Sequence, residues 1–199
     1  MYRLLLSVMI MAVACNKKED YTVPNGFPNQ EGNHWVYRFS GYPQNTDSIV
    51  VDITSTARLP NGEPATVWVT RFANFTDTSY VSSSPGEVVF YFPPCYNCIP
   101  SMPAPRFRYV FPLQVGNQWF VTAGGNDTIK VLSLASIQVG KGFDAYVLSR
   151  TRQPGGNSYT RDTLWFMPGV GMIKLHRDAF SLGPLPGNGV WELASYSLR

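Results

Sequence analysis

The segment FPNQEGNHW at residues 27–35 returns as FPLQVGNQW at residues 111–119, 84 positions later, with six of nine residues identical. The identities are Phe, Pro, Gln, Gly, Asn and Trp, and a match of that kind points to a duplicated module more than to two chance hairpins. The correspondence continues loosely and in order. Asp47-Ser48-Ile49 answers Asp127-Thr128-Ile129, the stretch 66–72 answers 146–152, Asp77-Thr78 answers Asp162-Thr163, and Pro85-Gly86 answers Pro168-Gly169, with offsets drifting between 80 and 85. The Gly-Asn pairs accept left-handed backbone and suit turns that launch a strand. Trp35 and Trp119 follow two residues later, where core anchoring is the first role to expect and stacking on a sugar ring the second.

Strand signatures fill the chain between these landmarks. HWVYRFS (34–40) alternates Trp35, Tyr37 and Phe39 on one face, and SIVVDIT (48–54) does the same with Ile49, Val51 and Ile53. Period-two alternation of aromatic and β-branched residues marks half-buried strands. Turn-forming clusters separate them at Asn61-Gly62, Gly124 to Asp127, Pro154 to Asn157 and Pro186 to Gly189. Further strands are expected at 66–72, 78–82, 87–92, 106–111, 118–122, 128–136, 144–152, 158–166, 171–177 and 190–198, and no convincing amphipathic helix appears. The fold class is therefore all-β and mostly antiparallel, built from two tandem repeats of about five strands each. Repeat one covers about 27–105 and repeat two about 106–199. Separate modules would be small and leave sheet edges bare, so joining edge to edge into one curved sheet or open barrel over residues 31–199 is the better arrangement.

Composition agrees with a packed domain. The 199 residues are 44% hydrophobic, 14% aromatic and 15% charged, which argues against disorder. A net charge of +3 without a basic stripe excludes a nucleic-acid binder as the leading class.

The first residues carry an address. Leu4 to Ala14 is apolar apart from Ser7, a length that suits a signal-peptide core and falls short of the ~20 residues needed to span a bilayer. Ala12-Val13-Ala14 ends it and Cys15 follows. The segment 12–15 resembles the lipobox of bacterial lipoproteins, which implies cleavage after residue 14 and a lipid on Cys15, the membrane then being a partner through that anchor. Residue 12 is more often Leu in such boxes. Lys17-Lys18-Glu19-Asp20 resembles the charged signal of surface-exposed lipoproteins in the Bacteroidota, although any solvated tether could carry the same run. Residues 15–30, with two prolines and an Asn-Gly pair in YTVPNGFPN (21–29), read as an extended tether. LWFMPGVGMIKL (164–175) is similar to an aromatic-Pro-Gly-Val-Gly hairpin of small β-rich Bacteroidota lipoproteins. That family implies a cell-envelope, outer-membrane location and names no activity.

Two cysteines remain, Cys95 and Cys98, in a proline-rich connection between the repeats. Behind a signal peptide the compartment is oxidising, so a disulfide is expected. So small a loop contributes only about 2 kcal/mol in the chain-entropy picture. A redox pair would want a helix N-terminus to stabilise the thiolate, and IPSMPAP (99–105) cannot start one. A metal site would need more ligands than His34 and His176, which lie on separate strands.

Catalytic patterns are scarce. Gly-x-Ser-x-Gly, His-Glu-x-x-His and phosphate-cradling loops do not occur. Asp77-Thr78 and Asp162-Thr163 invite comparison with paired Asp-Thr-Gly loops, but Ser79 and Leu164 stand in the third positions. Asp47-Ser48-Ile49, Asp127-Thr128-Ile129 and Asp162-Thr163-Leu164 resemble the Asp-(Ser/Thr)-hydrophobic O-glycan acceptor motif of exported Bacteroidota proteins, although a polar pair opening a strand is common. No catalytic residue and no cofactor is assigned. The sequence supports a non-catalytic, lipid-anchored binding or scaffold module. A carrier of a lipid or other apolar ligand in an open barrel is the first alternative. A surface glycan binder using Tyr42, Tyr96 or Tyr159 is the second.

Overall fold

A computed structural model describes residues 26–42, 48–95, 97–99, 101–122 and 125–199. Cys15, the signal segment, Asp47 and Tyr96 lie outside them. The described chain is twelve strands with no α-helix. The first half holds β1 (His34–Tyr42), β2 (Ser48–Arg58), β3 (Pro64–Arg71), β4 (Thr76–Ser84), β5 (Glu87–Tyr91) and β6 (Pro105–Val110). The second holds β7 (Gln118–Phe120), β8 (Asp127–Val139), β9 (Lys141–Gly155), β10 (Ser158–Met167), β11 (Gly171–Phe180) and β12 (Asn188–Ser197).

All twelve form one antiparallel sheet in the order β6-β5-β4-β3-β2-β1-β12-β11-β10-β9-β8-β7. Each half is thus a six-stranded meander where the sequence pattern predicts about five strands per repeat, because the strand expected at 106–111 completes the first half, and the halves join where β1 pairs with β12. The sheet curls into a nearly closed barrel. Its two free edges, β6 and β7, face each other without a shared ladder. Side chains span the seam instead: the Trp119 indole of β7 donates to the Arg108 carbonyl of β6 at 2.9 Å, and Arg150 reaches from β9 to the Arg106 carbonyl of β6 at 2.7 Å.

The two Gly-Asn-x-Trp segments make the same local structure. Gly32 and Gly116 have φ of +88° and +94°, values open to glycine, and their N–H groups donate to Ile53 and Val131. Asn33 and Asn117 donate to Gln30 and Gln114, and their own carbonyls accept from Ile53 and Val131. Both tryptophans are buried, as core anchors should be. A one-residue irregularity follows in each second strand, between Ile53 and Ser55 and between Val131 and Ser133. The ladders also correct the sequence alignment. Trp35 faces Val51 while Trp119 faces Ile129, so Val51, and not Ile49, takes the place of Ile129. Drifting loop lengths hid that two-residue shift.

Eight strands give a barrel that side chains alone can fill, and twelve leave room inside. The chain closes one end with its own residues. Phe27 is 2% exposed and packs its ring against Tyr109 at 5.3 Å and Phe166 at 5.8 Å. Asn29 accepts from the Trp68 indole at 2.8 Å and donates to Ser83 at 2.8 Å. Residues 26–30, placed in the tether by their prolines and lack of period, are therefore a plug. A short segment can be irregular in pattern and still be held by one buried aromatic ring. The β10–β11 turn seals the same end: Gly169 donates to Gly26 at 2.6 Å and the Trp35 indole donates to the Val170 carbonyl at 2.8 Å. A Cβ at Gly171, whose φ is +99°, would lie 3.3 Å from the Pro28 ring, so glycine lets the turn and the plug approach closely.

Cys95 and Cys98 are joined in a disulfide across an exposed turn between β5 and β6. It stiffens that connection without touching the core.

Candidate functional site

The space inside the barrel is a cavity of about 520 Å³, within the range of small-molecule sites. Its deep wall is aromatic. Trp35 and Trp68 stack with centroids 5.1 Å apart, Phe90 meets Trp68 edge-on at 5.2 Å, and Phe166, Tyr109 and Phe27 complete the floor beside the plug. Trp68 and Phe90 are only half-buried although they point inward, because they border the cavity. The period-two alternation legible in the sequence is what turns these rings to one face.

The opposite end is reached past Phe72, Phe75, Phe92 and Leu185, which come from the β3–β4, β5–β6 and β11–β12 connections. Between this mouth and the aromatic floor lies a belt of charge. Arg106 makes a bidentate pair with Asp77, at 2.9 and 2.7 Å, and also reaches Ser79 at 3.1 Å. Arg150 makes a bidentate pair with Asp127, at 2.9 and 2.5 Å, and its guanidinium lies 5.3 Å from the centre of the Phe107 ring. Arg177 pairs with Asp162 at 3.1 Å through two nitrogens, and Arg150 stands 3.8 Å from the same carboxylate. Burial opposes the charge on Arg177, but the attraction and hydrogen bonds of Asp162, with Asp77 beyond, outweigh it and hold its pKa above the ordinary arginine value. Arg152 completes the belt, and among the described residues its guanidinium has no partner.

Two phenols in this wall respond to pH. Burial, joined at Tyr37 by the neighbouring Tyr109, raises the pKa of Tyr37 far above that of free tyrosine, and burial alone does so for Tyr109. Both stay neutral in the fold but ionise in the unfolded chain above about pH 10. Their contribution to stability is complete below that pH and is lost as pH rises beyond it. An absorbance titration is expected to show these two phenolates appearing only together with the loss of tryptophan tertiary signal. Smooth ionisation of every tyrosine in a still-folded protein would contradict this burial.

The structure assembles residues that the sequence left scattered. Asp77 and Asp162 occupy equivalent ladder positions, opposite Thr70 and Arg150, yet each is claimed by its own arginine and they form no acid pair. Asp127 and Asp162, read as parts of glycan-acceptor motifs, turn their carboxylates into the barrel. His34 lies outside the cavity lining, 2.6 Å from Asp52, and His176 is exposed elsewhere. Among the described residues no group of three or more His, Cys, Asp and Glu converges. Tyr42 is exposed and Tyr159 is hydrogen-bonded to Asp178, and neither lines the cavity. The arginines were missed altogether. Arg150 and Arg177 leave a trace as inward-facing positions of otherwise apolar strands, whereas Arg106, beside the inward Phe107 at a register irregularity of β6, leaves none.

Fold and site together define a class: a nearly closed β-barrel with one plugged end and an internal, largely aromatic cavity. No protein-family model and no curated protein matches the chain. Two solved structures are similar in outline. One is a protein described as exported, with a YmcC-like fold, from Bacteroides fragilis, at 12% identity and a TM-score of 0.49, covering 86% of this chain and 98% of that one. The other is described as a lipoprotein from Parabacteroides distasonis, at 13% identity and a TM-score of 0.45, covering 86% and 97%. Identities and scores this low transfer no role.

Proposed function

We propose that the protein is a lipid-anchored, non-catalytic binding protein of the bacterial cell envelope, held in the outer membrane through Cys15, whose barrel carries an apolar ligand. The observation behind this reading is the 520 Å³ cavity floored by aromatic rings. A scaffold needs no such interior. The lipobox-like residues 12–15 support the anchor, and Lys18-Glu19-Asp20 supports display at the cell surface. Aromatic faces that stay accessible inside a fold gain by covering themselves with apolar ligand surface. The glycan alternative has less behind it, since Tyr42 and Tyr159 lie away from the cavity.

The test uses 1-aminoanthracene, an uncharged fluorophore. One molecule is expected to bind per chain, with energy transfer from the tryptophans that line the cavity. Thr160→Trp, which fills space at the half-buried wall of β10, is expected to abolish binding without unfolding the barrel. Absence of saturable binding to the native chain would sink the carrier reading.

A further inference from the structure

We propose that the ligand of this cavity is an amphiphile with an anionic head, and that the head is held by Arg152 with Arg106 and Arg150 where the cavity meets the β6/β7 seam. This rests on the carrier reading and specifies its ligand class. Three observations carry it.

The first is placement. A second recess of about 250 Å³ opens along the seam, lined by Val121, Thr122, Asn126 and Asp127 among others. It shares Phe92, Arg106, Arg150 and Arg152 with the main cavity. Three arginines therefore line both the aromatic chamber and the mixed recess at the seam, Arg152 from an exposed position. The second is charge. Four arginines in the belt face three carboxylates, Asp77, Asp127 and Asp162, and the excess cation is Arg152, which pairs with none of the described residues. The third is geometry. Asp77 and Asp127 each occupy one fork of Arg106 and Arg150 and so hold them in place, leaving Arg106 and Arg150 each a few of the five N–H groups of a guanidinium. The fork of Arg152, which no described carboxylate occupies, suits a carboxylate or phosphate. The apolar tail then runs from the belt towards Trp68 and Phe90.

The experiment displaces bound 1-aminoanthracene with decanoate, decyl phosphate, decanol and decyltrimethylammonium. The anions are expected to displace it at about tenfold lower concentration than decanol, the worth of one charge-assisted hydrogen bond. The cationic amphiphile is expected to be weakest. Because Arg152 is exposed and pairs with none of the described residues, Arg152→Gln should fold normally and bring the anions level with decanol, and added salt should do so in part. If decanol competes as well as decanoate and Arg152→Gln changes nothing, the head assignment is overturned while the carrier reading stands. If inorganic phosphate alone protects the belt and no tailed compound improves on it, the site takes a free anion and the amphiphile is overturned. Failure of the fluorophore itself to bind would instead strike the carrier reading.

Discussion

Replacing Asp162 by alanine is expected to destabilise the protein by about 3–5 kcal/mol, the cost of stranding a buried charge after its partner is removed. The Asp162 side chain is 1% exposed and lies between Arg177 at 3.1 Å and Arg150 at 3.8 Å. Arg150 keeps Asp127, but Arg177 would be left with only the more distant influence of Asp77. It cannot escape by losing its proton, because a guanidinium stays charged at any working pH. Urea denaturation followed by tryptophan fluorescence measures the loss. Combining Asp162→Ala with Arg177→Met should recover much of it, since removing both partners leaves an apolar surface where a lone cation would otherwise stand. A single-mutant loss below about 1 kcal/mol would mean that water in the cavity already solvates the belt.

Phe27→Ala is the second large effect, expected at about 3–5 kcal/mol for removing a buried aromatic side chain. A tether residue would cost nothing when truncated, so this substitution separates the two readings of residues 26–30. The ring also closes one end of the barrel, packed between Trp68, Phe90, Tyr109, Phe111 and Phe166. Its loss should therefore weaken ligand binding as well as folding, since water gains entry to the apolar floor. Measuring both on the same variant ties the plug to the cavity. Unchanged stability would return residues 26–30 to the tether.

Much of the architecture was legible because it is local. Alternation in HWVYRFS and SIVVDIT depends only on the two-residue period of an extended chain, so strands and inward faces follow from the order of residues. The Gly-Asn-x-Trp turns are equally local, since glycine alone moves freely to the φ that Gly32 and Gly116 adopt. Cys95 and Cys98, three residues apart, could be paired on compartment and spacing. The plug was not legible. Phe27 makes its contacts with rings tens of residues or more away, and although it is shared with Phe111 in the repeated motif, that identity does not say which rings it meets.

The ion-pair belt failed to appear for the same reason. Arg106 and Asp77 lie 29 residues apart, and Arg150 and Asp127 lie 23 apart. On one strand, an arginine among apolar residues looks like an exception at a sheet edge. Only the curl of the whole sheet makes it an interior group. The sequence by itself determined the strands, their inward faces, the turn chemistry and the marks of an envelope address. Tertiary structure alone decided that twelve strands curl into one barrel, that residues 26–30 stop one end, and that charge and aromatic rings meet around an open space. The reason is physical: a strand's periodicity is written in neighbouring residues, whereas a cavity exists only between residues that closure brings face to face.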